Sequence, residues 1–415
     1  MRILLLTPAF PPEIAGGGHL YYELAESLIQ RGHRVTVVTA IPRWRLDHGQ
    51  AAGPYRGRLY VWETIAGIRV LRVATIPLPL SSPYGRGLDH LLAPFVFSVA
   101  GLFSGGHDVA LAYSPPLPLG LSMYVLNKLK GIPFIFNIQD IFPQYAIDSG
   151  LLKNGMLIWL FRAIERFVYS HAPYITVHSR GNRQYLIDHR GVDSERVFVI
   201  PNWGNTHRIS PGPRQNEFRL QLGLDGKFVV SYAGTMGWAQ DLGTVIEAAS
   251  LLHSYPDIQF IFVGEGVLKP QLQAQAQSLG AQNVRFLPIQ PWAKYPSVLE
   301  ASDVCLISLN RKLSTPVVPG KLYDIMAAGR PVIATVPLRG DAAQIVTEAN
   351  CGVCIESGRP RELADTVLSL YRDPKTAEQL GHDARRYVEE HCSRDNCTRA
   401  YEQILRRCAG DRLDR

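Results

Sequence analysis

The segment Ser314–Ala334 reads STPVVPGKLYDIMAAGRPVIA, and its residue types suit the handling of a diphosphate. Pro319-Gly320 has the form of a helix start, which puts Lys321 and Asp324 in the first turn. Gly329 stops the helix, and Arg330-Pro331 leads into an apolar run. A lysine at a helix N-terminus opposes the helix dipole, and a bound diphosphate would reverse that sign. A solvated lysine beside a capping aspartate is the structural alternative. Gly16-Gly17-Gly18 follows the first apolar run and opens a helix. Three glycines let backbone approach an oxygen-rich ligand at a helix N-terminus, although a ligand-free loop has the same composition. GxGxxG is not met and ten residues separate Thr7 from Gly17, which disfavours a nicotinamide site. Gly234-Thr235-Met236-Gly237 is a second, weaker anion-site candidate. Gly264-Glu265-Gly266 ends the next run and would bring Glu265 to the same end of the sheet, unless Glu265 is only a solvated turn residue.

These residues need a frame to hold them. Short Val- and Ile-rich runs alternate with segments of helical period, the pattern of parallel sheets covered on both faces. The two halves repeat one another. MRILLLTPAFPPEIAGGGHLYYELAESLIQRGHRVTVVT and KFVVSYAGTMGWAQDLGTVIEAASLLHSYPDIQFIFVGEG are each strand, Gly-rich loop, helix, strand. The fold class is therefore α/β, with two Rossmann-like doubly wound domains facing a cleft. Ligands of such sheets bind beyond the carboxyl ends of the strands. The boundaries read as 1–205 and 206–385, with the Pro- and Gly-rich stretch Asn205–Asp225 as linker.

Composition excludes several classes. With 415 residues, 46% hydrophobic and 19% charged, the chain is neither disordered nor fibrous. Its net charge of +7 is concentrated in residues 1–205, where 19 basic residues face 13 acidic ones. That half is the one to meet an anionic partner. No basic run and no zinc-finger or RNP pattern occurs, so nucleic acid is not expected. The longest apolar stretch, Leu88–Phe103, has 16 residues against the ~20 that span a bilayer. All six cysteines follow residue 300, and Cys351-Gly-Val-Cys354 lacks the second half of a zinc site. No metal and no cofactor are expected.

At LAESLIQRGHRVTVVT, NIQDIFPQ, VFVIPNW, YAGTMGWAQDLGTVIEAA and PGKLYDIMAAGRPVIA the sequence resembles retaining glycosyltransferases of the GT-B fold, family 4. Within them it resembles the fucosaminyltransferase-like branch that builds O-antigen, capsule and colanic acid. The resemblance covers nearly the whole chain. It implies a nucleotide-sugar donor, UDP-linked, held by the second domain, and an acceptor held by the first. It also implies a final helix, 386–415, crossing back to the first domain.

The departures from that family are informative. Where many members carry an Arg and a Lys on the diphosphate, this chain has Thr235 and Gln240. Where many carry two Glu eight residues apart, it has Pro316 and Asp324. Lys321, Gly320 and the helix amides would then neutralise the diphosphate, and Asp324 would accept from the ribose hydroxyls. Gln139 replaces a frequent His, but Asp140 remains and could contact the acceptor hydroxyl or merely cap the next segment. The acceptor is expected to be linked to a lipid diphosphate. Leu88–Phe103 and Leu151–Tyr169 could lie in a membrane interface, placing the protein peripherally on the inner face of the cytoplasmic membrane. Both could equally be helices covering the first sheet. The rival readings are a nucleotide-sugar 2-epimerase of the same architecture and a non-catalytic nucleotide-sugar-binding protein.

Overall fold

Each Val- and Ile-rich run becomes a strand, and the central strands are buried along their whole length. A computed structural model describes residues 1–13, 16–42, 53–75 and 83–410. The chain divides into two α/β units, one of Met1–Pro201 with Arg394–Arg415 and one of Asn202–Ser393.

The first unit carries β1 (Arg2–Leu6), β2 (Arg34–Ala40), β3 (Tyr60–Ile65), β4 (Ile68–Val73), β5 (Val109–Ser114), β6 (Phe134–Ile138), β7 (Tyr174–Val177) and β8 (Val197–Val199). Their order is β3-β4-β2-β1-β5-β6-β7-β8. All neighbours are parallel except β3, which pairs antiparallel with β4. This edge strand was not expected. It is half-exposed, and its turn is Ala66-Gly67, with φ of 48° and 80°. Both central residues at positive φ make a primed hairpin turn, usually flagged by Asn-Gly rather than Ala-Gly.

The second unit carries β9 (Phe228–Ala233), β10 (Ile258–Val263), β11 (Val284–Leu287), β12 (Val304–Ser308), β13 (Val332–Thr335) and β14 (Gly352–Ile355). Their order is β11-β10-β9-β12-β13-β14, all parallel. Counted from β9 this is 3-2-1-4-5-6, so the connections diverge between β9 and β12 and leave a crevice at their carboxyl ends. In the first unit the equivalent point lies between β1 and β5.

The stretch read as a linker is packed structure. The helix Glu217–Leu222 is capped by Asn216, and Arg219 is buried beneath it. The Arg219 guanidinium donates to the carbonyls of Ala301 (2.7 Å) and Lys227 (3.0 Å) and to Asp303. The chain accordingly enters the second unit at Asn202, ahead of the expected 206. The C-terminal crossing also differs from the single helix from 386 that was expected. Pro374–His391 stays with the second unit, the helix breaks at Cys392-Ser393, and Arg394–Ala409 returns to the first unit. There Tyr401 accepts from Asn137 Nδ2 (3.0 Å), and Arg394 pairs with Glu26 (2.7 Å). Burial alone would raise the Glu402 carboxyl, but Arg31, Arg406 and His33 outweigh it and hold it at about 2.

Candidate functional site

In the second unit the backbone at the end of β9 comes first. Gly234 donates its N–H to the Val263 carbonyl at 2.8 Å, so it is anchored to the sheet. Its φ is +147°, in the region that favours glycine. A Cβ built there would lie 2.2 Å from Lys321 Nζ. Lys321 begins the helix Lys321–Ala327 and reaches across the crevice, with Nζ 3.8 Å from the centroid of the Tyr232 ring. The side chain is half-buried overall and its ammonium end is enclosed. Among the described residues no carboxylate pairs with it. Burial, with no opposing charge named, pushes the ammonium down to about 7. A cation over an aromatic face with no counter-ion is a site prepared for an anion.

The neighbouring loop fixes that geometry. A Cβ at Gly264 would lie 2.0 Å from the Gly234 carbonyl oxygen, and one at Gly266 would lie 2.1 Å from the Met236 oxygen. These glycines let the loops after β9 and β10 press together. Met236 N donates to the Glu265 carbonyl (3.0 Å), and the Met236 carbonyl accepts from Leu268 N (3.1 Å). The Met236 side chain is fully buried in the core. Its expected place among ligand-binding groups is therefore corrected, since both its backbone groups are also used within the protein. The Glu265 carboxylate pairs with Lys269 at 2.7 Å. Gln240 closes its own loop by accepting from Gly237 N at 3.1 Å. Thr235 is exposed; its carbonyl accepts from the Tyr232 hydroxyl (2.7 Å), and its amide has no acceptor among the described residues.

The helix start differs from expectation in one respect. Leu322 N and Tyr323 N already donate to the Pro319 and Gly320 carbonyls, at 2.9 and 3.2 Å. Only the amides of Gly320 and Lys321 remain for a ligand. A Cβ at Gly320 would meet nothing nearer than Asn202 Nδ2 at 3.9 Å, so protein packing does not require this glycine. Asp324, one turn on, faces Tyr295. Burial and then the Asp324 charge push the Tyr295 phenol well above its usual value. Tyr295 stacks on Trp292 (5.9 Å, 8°), and the Arg208 guanidinium lies 3.6 Å from the Trp292 ring centroid. Sequence reading missed these three residues, which no short motif marks.

The first unit collects the remaining candidates. The helix Gly16–Gln30 begins on Gly16. A Cβ at Gly17 would lie 2.5 Å from the Tyr113 hydroxyl, and one at Gly18 would lie 3.0 Å from the Ala9 carbonyl. Both glycines therefore serve a close approach to the protein itself. Asp140 follows β6, and burial pushes its carboxyl up to about 6. Burial and then the Asp140 charge raise the phenols of Tyr113 and Tyr145. Gln139 donates to Asn137 Oδ1 (3.0 Å), in a buried network that includes Thr176 and Tyr401. The candidates thus form one group per unit: Gly234, Thr235, Gly237, Gln240, Gly320, Lys321 and Asp324 in the second, Gly16, Gly17, Gly18 and Asp140 in the first.

Known proteins match both units. Residues 16–203 match the family described as the glycosyl transferase 4-like domain, and residues 214–387 match glycosyl transferases group 1. The chain is 28% identical to WcaI of Escherichia coli (strain K12), provisionally named a colanic acid biosynthesis glycosyl transferase; the match covers 98% of this chain and 100% of WcaI. It is 27% identical to WbjE of Pseudomonas aeruginosa, provisionally named a glycosyltransferase, over 68% of this chain and 71% of that protein. Among solved structures, sucrose-phosphate synthase from Thermosynechococcus elongatus superposes with a TM-score of 0.76 at 18% identity, covering 98% of each chain. HepE of Anabaena, in complex with UDP-glucose, gives 0.73 at 17% identity, covering 98% of this chain and 99% of that one.

The close approach of Gly234 to Lys321 yields a test. Gly234→Ala should cost about 1–3 kcal/mol in urea unfolding, because alanine is strained at that φ and its methyl displaces Lys321 Nζ. Lys321→Ala in the same chain should restore part of the loss by removing the clash. Wild-type stability in Gly234→Ala would contradict the described backbone.

Proposed function

Because the chain belongs to the GT-B glycosyltransferases, we propose that it moves a hexosyl or N-acetylhexosaminyl group from a UDP-linked donor, with retention, to a lipid-diphosphate-linked glycan in bacterial surface polysaccharide synthesis. The observation that carries the donor assignment is Lys321: a desolvated cation without a counter-ion, against Gly234 and over Tyr232. The relatives named for colanic acid and the neighbour solved with UDP-glucose agree with this reading.

In the reaction the bond from the sugar's anomeric carbon to the diphosphate oxygen breaks, and its electron pair leaves with the diphosphate. Negative charge grows on the leaving group and positive charge on the sugar carbon. Lys321 Nζ, with the amides of Gly320 and Thr235, meets the growing negative charge. A preformed donor in a water-poor site needs no reorganisation at that moment. Asp324 holds the ribose hydroxyls, whose charge does not change. The acceptor oxygen adds to the anomeric carbon on the face the diphosphate leaves, and its proton passes to the departing phosphate oxygen. Asp140 contacts the acceptor hydroxyl and orients it.

The membrane assignment rests on exposed apolar side chains in the first unit. Phe95, Val99 and Phe103 form a stripe at four-residue spacing on the helix Pro83–Phe103, and Trp159 is 69% exposed on the helix Gly155–His171. No helix among the described residues is long and apolar enough to cross a membrane. Such stripes bind a bilayer surface through apolar burial combined with attraction to anionic lipid.

Two outcomes are expected. Lys321→Ala should lower kcat by about 100- to 1000-fold, as loss of one oxyanion donor does, with a smaller change in donor KM. Asp324→Asn should mainly raise donor KM, by the equivalent of about 1–3 kcal/mol. Wild-type kinetics in both folded variants would remove this helix from the donor site. The protein should also sediment with vesicles containing anionic lipid at low salt, and Phe95→Asp with Phe103→Asp should release it. A wild-type protein that stays in the supernatant would remove the membrane assignment.

A further inference from the structure

A second ligand site is built at the opposite edge of the second unit's sheet, and it does not depend on the function proposed above. A cavity of about 670 Å³ opens where β9, β12 and β13 begin. Lys227, Asp303 and Arg330 mark those three strand starts, and Arg214 and Arg385 complete its charged wall. Lys227 and Gly234 lie at opposite ends of β9, so this cavity is about 20 Å from the Lys321 crevice at ~3.3 Å per residue. A smaller cavity of about 170 Å³ shares Arg214, Lys227 and Asp303 with it and adds the rings of Phe228 and Tyr371.

Most charges on this wall are answered by protein. Lys227 pairs with Asp257 at 2.8 Å, and Arg385 pairs with Glu389 at 2.6 Å. Asp303 receives Arg219, the amide of Val229 (2.7 Å) and Arg214 Nε at 3.3 Å. Arg330 is the exception. It is only 7% exposed, and no carboxylate pairs with it among the described residues. Its Nη2 donates to the carbonyls of Gly212 (2.6 Å) and Glu300 (2.7 Å), while its buried Nε has no acceptor. Burial depresses its basicity, and among the neighbouring charges Arg214 adds to that effect. Two guanidinium groups therefore share one cavity wall with a single carboxylate, Asp303, that is already occupied. Guanidinium forks match the oxygens of a phosphate.

We propose that this cavity binds the phosphate of a sugar-sized phosphomonoester between Arg214 and Arg330. The volume admits a hexose phosphate, and Phe228 and Tyr371 offer an apolar surface to its ring.

Isothermal titration of the full chain at constant ionic strength tests this, with glucose 6-phosphate, inorganic phosphate and glucose as probes. Glucose 6-phosphate should bind and glucose should not. Binding of glucose 6-phosphate tighter than inorganic phosphate identifies a sugar phosphate as the occupant, and equal binding identifies free phosphate. Arg330→Gln should weaken binding at least ~10-fold. Because Arg330 also holds two carbonyls, Arg214→Gln provides the same test at a half-exposed residue, with unchanged urea stability and unchanged UDP affinity. Lys321→Ala should leave the affinity for glucose 6-phosphate unchanged. No binding of either phosphate at 10-millimolar order, binding untouched by both arginine variants, or binding lost in Lys321→Ala would overturn the proposal.

Discussion

A single unpaired ammonium sets the terms for the second unit. Lys321 Nζ lies against the bare Cα of Gly234 and over the ring of Tyr232, with no carboxylate in an ion pair among the described residues. Holding a cation this way costs stability. The folded ammonium titrates at about 7 while the unfolded one keeps its usual value of 10.5, so between those values the unfolded chain binds the extra proton. Stability of the empty protein therefore rises as pH rises through that window. The arrangement is reasonable only if something anionic recovers the cost, which a departing diphosphate does.

The rest of the unit makes this contact available. The 3-2-1-4-5-6 strand order opens a crevice between β9 and β12, where the Gly234 loop and the Lys321 helix meet. Gly264 and Gly266 let the loop after β10 brace the loop after β9. Gly381 would place a Cβ 2.3 Å from the Gly329 carbonyl, so its absence lets the helix Pro374–His391 press on the turn that ends the Lys321 helix. Three close approaches of backbone to backbone thus hold one side chain in position.

Much of this was legible in the sequence because its signals are local. Continuous apolar strands, the Gly-rich loops and PGKLYDIMAAGRP each fix an element and its ends within a few residues. What escaped depends on contacts distant in sequence. Met236 sits between glycines in a loop, yet its side chain completes the core. Arg219 turned an apparent linker into packed structure by reaching Asp303, 84 residues away. Tyr295, Trp292 and Arg208 come from separate segments, and only the fold stacks them beside Asp324. Gly17 and Gly18 show the converse: a motif read for ligand approach also meets Tyr113 and the Ala9 carbonyl.

The central claim is that Lys321 is half-neutral when the site is empty and becomes charged when a diphosphate arrives. An anion beside Nζ raises its pKa above about 7, so binding near pH 8 must draw a proton from solution. Titration of UDP in two buffers of different ionisation enthalpy reads this directly. The wild-type protein should take up close to one proton per UDP near pH 8, with affinity falling as pH rises, and Lys321→Met should take up none. Binding of UDP to the wild-type protein without proton uptake, at an affinity constant between about pH 7.5 and 9, would contradict the account.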